Sequence, residues 1–347
     1  MPTFTNKAVL GIDISLWDYE IDVPLLLDAG VRVFIVKMGQ GWKNSLGELK
    51  PTDRRFHAHC ENISRYSHTI LMTYFWPEIT LSPIEQAKWC IQTLETYRYP
   101  IVYTWADAEQ YWLDWGLYYK ARRGEIPYSL VPIADKNKLS TFYWQFYTAL
   151  RNKKLCGVYT NKGFTSSWAP NMARWMAQEK VQIWLPYYGK QPSKLTHMSW
   201  DEWKKNWYPT YTPPLPTQGE LMCTYDNMAG HQCTGDAVVV PGIYQDEHKK
   251  PIAADINVFS TEWLSNLLGR TIEPTITSPV AVTIPTGQAY HVNVGLLNIR
   301  SGPSSNTKLL GQVAKNAQVI VTSISNEWAQ IAYPKQGWVY LQYITKD

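Results

Sequence analysis

Short, nearly continuous apolar runs alternate along most of the chain with stretches whose apolar residues recur every three or four positions. The runs are "VLGIDIS" (9–15), "RVFIVKM" (32–38), "TILMTYFW" (69–76), "PIVYTWADAE" (100–109), "LCGVYTN" (155–161), "VQIWLPYY" (181–188), "LMCTYDN" (221–227) and "IAADINVF" (252–259). Their β-branched and aromatic residues, bounded by turn formers, predict strands. Runs apolar at nearly every position suit parallel strands covered on both faces.

The intervening stretches read as amphipathic helices. "VPLLLDAG" ends in Gly30, a suitable C-cap. "SPIEQAKWCIQTLETY" opens with Ser82 as N-cap, Pro83 at the first helical position and Glu85 three residues after the cap. "SWAPNMARWMAQEK" precedes the sixth strand. This alternation predicts an α/β fold, a (β/α) TIM-like barrel of about eight strands over residues 1–270. Two connections are long and aromatic, 110–140 and 190–219; loops after barrel strands build binding walls or pack as extra subdomains.

After residue 270 the pattern changes. Residues 271–287, "TIEPTITSPVAVTIPTG", are rich in Thr and Pro and read as a semi-extended linker. Residues 288–347 hold only short strand patterns and predict a small all-β barrel. The full 347 residues are enough for one large domain and this small one.

Composition sharpens the picture in one respect: 17 Trp and 23 Tyr far exceed 8 Phe. Trp and Tyr offer a flat apolar face with a polar handle, suited both to cores and to stacking on sugar rings. The net charge of +4 comes with no run of Lys or Arg long enough to suggest a nucleic-acid groove. No basic region followed by a long apolar one opens the chain, and no run approaches the roughly 18 apolar residues of a membrane span. The expectation is a protein made in the cytoplasm without a signal peptide and without membrane insertion. Five cysteines lack CxxC spacing. Cys223 and Cys233 are placed to pair across a loop; buried thiols are the alternative.

The candidate chemistry lies in "WADAE". Residues i and i+2 of a strand share a face, with Cα atoms roughly 6.6 Å apart. Asp107 and Glu109 therefore project together from the end of the fourth strand. Two close carboxylates do not both ionise readily, so one keeps a proton near neutral pH, as protonating a glycosidic oxygen requires. Asp13 ends the first strand and Asp255 lies in the last; in a closed barrel those strands are neighbours. Each is otherwise suited to capping a following helix.

In order along the chain, "GIDIS", "GVRVFIVKMGQG", "DRRFHAH", "TYFWP", "WADAE", "GVYTN", "IWLPYYG" and "DINVF" resemble the motifs of the family-25 glycoside hydrolases, the Chalaropsis-type lysozymes. The resemblance implies cleavage of the β-1,4 bond between N-acetylmuramic acid and N-acetylglucosamine in bacterial peptidoglycan, with no cofactor and no metal. By position it implies Glu109 as general acid/base, with Asp107 either stabilising oxocarbenium-like charge or orienting the substrate's acetamido group. Asp13 and Asp255 would position substrate and tune Glu109. Tyr74, Trp76, Tyr159, Tyr187 and Asn257 are candidates for sugar contacts. The sequence departs from the family at "TYFW", where Tyr-His-Phe is frequent, at "CTYDN", where a Trp-Gln-Tyr motif is frequent, and at the long insertion from Gln110.

"LLNIRSGPSSNTKLLGQVAKNAQVIV" and "EWAQIAYPKQGWVYLQYI" resemble the bacterial SH3 domains, which implies a module that grips wall peptides or other wall components. Trp328 and Trp338 are expected in its core. A lytic barrel with such a module suggests an endolysin released by a holin, or a secreted enzyme whose leader was removed. A catalytically inactive wall-binding protein on the same barrel is the alternative. His57 and His59, two residues apart on a helix, point apart and lack a third metal ligand. GxSxG, P-loop and dinucleotide fingerprints are absent.

Overall fold

In the computed structural model, successive residues of each apolar run face opposite ways, and that alternation builds a closed barrel. The structure describes residues 8–43, 46, 49, 52–188, 197–206, 227–275, 288–333 and 337–346. The chain divides into two compact units, Met1–Thr277 and Ser278–Asp347.

The barrel strands are β1 (Ala8–Ile14), β2 (Val31–Gln40), β3 (Ile70–Trp76), β4 (Ile101–Asp107), β5 (Cys156–Tyr159), β6 (Ile183–Pro186), β7 (Met228–Tyr244) and β8 (Pro251–Ser260). They pair in that order, and β8 closes the ring by pairing with both β1 and β7. All neighbours from β1 to β7 are parallel, whereas β8 runs antiparallel to both of its neighbours. The barrel is therefore mixed rather than uniformly parallel. The cause is local: β7 and β8 are joined by a tight turn in which the Asp246 carboxylate accepts from the His248 and Lys250 amides. A connection that short permits only an antiparallel return.

One face of the strands carries Val9, Val33, Ile35, Ile70, Met72, Tyr103, Trp105, Trp184 and Phe259, which fill the interior. The other face carries Leu10, Ile12, Phe34, Val36, Leu71, Phe75 and Ala106, which pack against the helices. Large rings inside need space opposite them. A Cβ on Gly157 would lie 2.5 Å from the Trp105 ring, and one on Gly230 2.4 Å from the Phe259 ring.

Helices surround the barrel, and those expected at 23–30, 82–97 and 167–180 are among them. The helices are α1 (Val23–Asp28), α2 (Phe56–Ser64), α3 (Pro83–Tyr97), α4 (Trp115–Arg122), α5 (Lys136–Arg151), α6 (Lys162–Ser167), α7 (Pro170–Gln178), α8 (Trp200–Asn206) and α9 (Thr261–Leu268). Ser82 caps α3 through the Glu85 amide (3.3 Å), with Pro83 in its first turn. Asp22 caps α1 and Ser260 caps α9, so neither Asp13 nor Asp255 serves as a helix cap. Thr275 accepts a hydrogen bond from the Leu10 amide, which ties the first residues after α9 to β1.

The strand expected at 221–227 falls almost wholly outside the described residues. The strand that follows it, β7, was not anticipated: "MAGHQCTGDAVVVPGIY" carries Gly, His, Gln and Asp among its apolar positions, which breaks the strand pattern. Cys233, on β7, is a buried free thiol whose Sγ donates to the Ile256 carbonyl, and Cys223 lies outside the described residues.

The second unit is a seven-stranded antiparallel sheet: β9 (Gln288–Val292), β10 (Leu296–Arg300), β11 (Leu309–Ala314), β12 (Gln318–Ser325), β13 (Trp328–Tyr333), β14 (Gly337–Tyr340) and β15 (Ile344–Lys346). Its buried core is aliphatic, formed by Val292, Leu297, Ile299, Val313, Val319, Val321, Ala329, Ile331, Val339 and Ile344. Trp328 and Trp338, expected in that core, are outside it; both sit half-buried at the surface. Alternation explains this, since Ala329 and Val339 take the inward positions next to them.

Candidate active site

The strand period that fills the barrel also builds its mouth. Val9, Gly11 and Asp13 share one face of β1, and Val33, Ile35 and Lys37 share one face of β2. Met72, Tyr74 and Trp76 do so on β3, as do Tyr103, Trp105 and Asp107 on β4. Each inward apolar ladder thus ends in a polar or aromatic group. These ends line one cavity of about 220 Å3, together with Glu109, Tyr159, Trp184, Tyr188, Gln232, Gly235, Asp236 and Asp255.

Asp107 is the last residue of β4 and Glu109 follows just beyond the strand. Their backbone is tightly held. The Ala108 amide donates to the Tyr159 carbonyl (2.8 Å), and Thr160 Oγ1 donates to the Ala108 carbonyl (2.8 Å). Tyr143 OH both accepts from the Gln110 amide and donates to its carbonyl, each at 3.2 Å. Asn161 Nδ2 donates to Glu109 Oε1 (3.2 Å), while buried Asp107 Oδ1 has no hydrogen-bond partner among the described residues.

Burial pushes Glu109 up to about 7, against the Asn161 hydrogen bond that lowers it. Burial, followed by the charge of Glu109, pushes Asp107 well above the usual carboxylate range; Lys37 pulls it down. The two acids share the same space and titrate as a pair, so they retain a proton between them near neutral pH.

Across the mouth, Asp13 and Asp255 face one another in the β1–β8 register. Gln232 Nε2 donates to Asp13 Oδ2 (2.9 Å) and to Asp255 Oδ2 (3.0 Å). Asn257 Nδ2 donates to the same Asp13 oxygen (2.8 Å), and Trp184 Nε1 holds Asn257 from behind (2.8 Å). The hydroxyls of Tyr159 and Tyr188 both donate to Gln232 Oε1, which fixes the orientation of that amide. Burial pushes Asp13 up to about 7 despite the Asn257 and Gln232 hydrogen bonds. Asp255 is raised by burial and then by Asp13. Lys37 is the sole cation lining the cavity among the described residues, its Nζ 5.8 Å from the Tyr74 ring and 5.5 Å from the Trp76 ring. Burial lowers it, and Asp107, Asp53 and Asp13 hold it up.

Of the residues singled out from sequence, Glu109, Asp107, Asp13, Asp255, Tyr74, Trp76 and Tyr159 are brought together here. Tyr187 is not part of the lining: it is exposed and packs toward His231, and its neighbour Tyr188 lines the cavity instead. Asn257 is fully buried behind Asp13 rather than at the cavity surface. Asp255 sits mid-strand, since β8 passes the mouth in the reverse direction. Lys37, Gln232, Tyr188 and Asn161 went unnoticed. Lys37 had a signal, because a lone charge at the inward position of an apolar strand must face polar company. Gln232 had none, and the amide among the acids comes from "GHQC", not from "CTYDN".

The insertion after Glu109 forms a wall of its own. Trp112, Ala121 and Val131 make a small buried cluster flanked by Trp76, Tyr111, Trp115 and Tyr118. Gln110 anchors it: Nε2 donates to Glu78 Oε1 (2.8 Å) and to the Trp112 carbonyl (3.0 Å), and Oε1 accepts from Trp76 Nε1 (3.2 Å). Trp115 Nε1 donates to the other Glu78 oxygen. The 190–219 insertion lies largely outside the described residues. His59 is buried with Nε2 3.3 Å from the Ser15 carbonyl, and no group of three metal-ligating side chains occurs among the described residues. No helix among them is long and apolar enough to cross a membrane.

Comparison with known proteins bears on each unit separately. The family model of the bacterial SH3 domain matches residues 295–345. No curated protein matches the chain. Among solved structures, a bacterial lysozyme from Streptomyces coelicolor superposes with a TM-score of 0.50 at 16% identity, over 76% of this chain and 98% of that one. The barrel has the fold of that lysozyme. A family 25 glycosyl hydrolase from Bacillus anthracis gives 0.46 at 14% identity, over 76% and 94% of the two chains. The modular Cpl-1 endolysin, solved with a peptidoglycan analogue, gives 0.42 at 12% identity, over 96% and 68%.

Proposed function

We propose that this chain is a peptidoglycan hydrolase of the lysozyme type. It cleaves the β-1,4 bond between N-acetylmuramic acid and N-acetylglucosamine, and its bacterial SH3 domain holds it on the wall. The observation that carries the reading is the pair at the end of β4. Glu109 keeps a proton to about pH 7, and beside it Asp107 presents a buried carboxylate oxygen with no partner among the described residues.

Glu109 gives its proton to the glycosidic oxygen as the bond from that oxygen to the anomeric carbon breaks, and the departing sugar leaves as an alcohol. Positive charge develops on the anomeric carbon and ring oxygen. Asp107 either stabilises that charge or accepts from the substrate's acetamido N–H, aligning the acetamido oxygen for attack on its own anomeric carbon. Water then adds at that carbon and passes a proton to the Glu109 carboxylate, restoring the acid. Asp13 and Asp255, held by Gln232 and Asn257, position the sugar, and Tyr74, Trp76 and Tyr159 supply aromatic surface for it.

The test is digestion of purified peptidoglycan followed by mass spectrometry of the fragments. Disaccharide peptides ending in reducing N-acetylmuramic acid support the reading. Reducing N-acetylglucosamine ends would move the cut to the other bond, and free stem peptides with intact glycan would overturn it. Wall binding with no new reducing ends would favour an inactive binding protein on the same barrel.

A further inference from the structure

The small domain places three of its aromatic rings along one groove, beside the carboxylate of Glu327. Trp328, Tyr340 and Tyr343 line an open groove with Val294, Leu296 and Glu327. The Trp328 and Tyr340 rings meet edge to face at 5.3 Å, and Tyr340 and Tyr343 lie 5.5 Å apart at 52°. With an aliphatic core complete beneath them, these rings are not needed to fill the interior.

Glu327 is tied to them by hydrogen bonds. It sits with Asn326 in the turn between β12 and β13, closed by the Ser325–Trp328 pair, and Asn326 takes the left-handed conformation (φ 55°) that such a turn demands. The Glu327 carbonyl accepts from the Leu341 amide (2.8 Å), and Tyr340 OH donates to Glu327 Oε2 (2.7 Å). Arg300, the one cation in the lining among the described residues, donates Nη1 to the Thr307 carbonyl (2.9 Å).

A carboxylate sharing a groove with aromatic rings is the chemistry of an ammonium site: the rings attract a cation through their negative faces and the carboxylate neutralises it. We propose that this groove binds a primary ammonium group carried by an extended peptide, with Glu327 as counter-ion and Trp328, Tyr340 and Tyr343 as its aromatic walls. The inference deepens the wall-holding role given to this domain and rests on that reading. The partner it selects is a wall peptide with an uncapped amine, so open peptide ends are bound in preference to cross-linked or acylated ones.

The experiment is co-sedimentation of full-length Glu109→Gln protein, which leaves the wall uncut, with sacculi before and after acetylation of their primary amines by acetic anhydride. Acetylation is expected to weaken binding about tenfold or more. Glu327→Gln is expected to weaken binding to untreated sacculi similarly and to abolish the effect of acetylation; the exposed turn position allows it to fold, which its melting curve checks. Trp328→Ala should act in the same direction. Equal binding to both sacculi would overturn the proposal, as would a Glu327→Gln protein that still discriminates between them. Weakening by Trp328→Ala with no effect of acetylation would assign the groove to a neutral sugar or peptide and likewise overturn it. Because the readout is binding, a failure here leaves reducing-end release by the wild type untouched, and a failure of that release leaves this result standing.

Discussion

Asp13 and Asp255 stand directly opposite each other on antiparallel strands, and one amide, that of Gln232, donates to both. Without that bridge, two buried carboxylates would face each other with less to offset their repulsion. Hydrogen bonds to charged groups contribute about 1.5–3 kcal/mol each. Gln232→Leu is therefore expected to destabilise the barrel by several kcal/mol at pH 8. Its loss of donors raises both acids further, so the deficit shrinks as pH falls and they become neutral. Urea unfolding at pH 5 and pH 8 measures this; an equal deficit at both would remove the bridging role.

Glu109 illustrates how a buried acid opposes stability once it ionises. Its folded-state value, raised to about 7 from an ordinary 4.5, means that the folded form binds the proton more tightly than the unfolded chain does. The stability this supplies is fully present below about pH 4.5 and is lost as pH rises through about 7. Glu109→Gln removes the ionisation, so its melting temperature is expected to exceed that of wild type by a few degrees at pH 8 and to match it near pH 5. A lower melting temperature at pH 8 would contradict the burial argument.

Lys37 is the cation that opposes the rise of Asp107. In Lys37→Met the Asp107 carboxyl loses that influence and ionises at higher pH. The acidic limb of the rate profile is expected to move to higher pH, narrowing the profile. A profile that keeps its acidic limb while losing only substrate affinity would assign Lys37 to sugar binding instead.

Gln110 joins the Glu109 backbone to the aromatic wall through Glu78 and Trp76. Gln110→Leu leaves the buried Glu78 carboxylate short of a donor and Trp76 without its acceptor. A loss of about 2–4 kcal/mol in stability is expected, together with reduced turnover, because the same segment positions Glu109. Denaturant unfolding and initial rates check the two parts separately.

The strands and helices that position the acids were legible because they depend on local pattern. An apolar run bounded by turn formers makes β1 to β6 visible, and Ser82–Pro83 marks α3 without any tertiary information. The strand period suggested Asp107 beside Glu109, although β4 ends at Asp107 and the Ala108 and Gln110 hydrogen bonds hold Glu109 beyond it. What could not be read depends on the fold as a whole. β7 carries Gly230 because Phe259 needs the space, and Gln232 because Asp13 and Asp255 need a donor; both look like loop residues in the sequence. The reversal of β8 is set by the Asp246 turn, and the choice of Tyr188 over Tyr187 depends on how the chain leaves β6. In the small domain, alternation put Ala329 and Val339 inside and left Trp328 for the groove, against the general tendency of tryptophan to be buried.

The most direct test of the central claim, that Glu109 is the acid that cleaves the glycan, is the rate of reducing-end release from purified peptidoglycan by wild type and Glu109→Gln between pH 4 and pH 9. Wild type is expected to lose activity as pH rises past about 7, where Glu109 gives up its proton. Glu109→Gln is expected to be slower by about 10²–10⁴-fold across the range while still sedimenting with sacculi. Activity in the variant within tenfold of wild type, or a wild-type rate undiminished at pH 9, would contradict it.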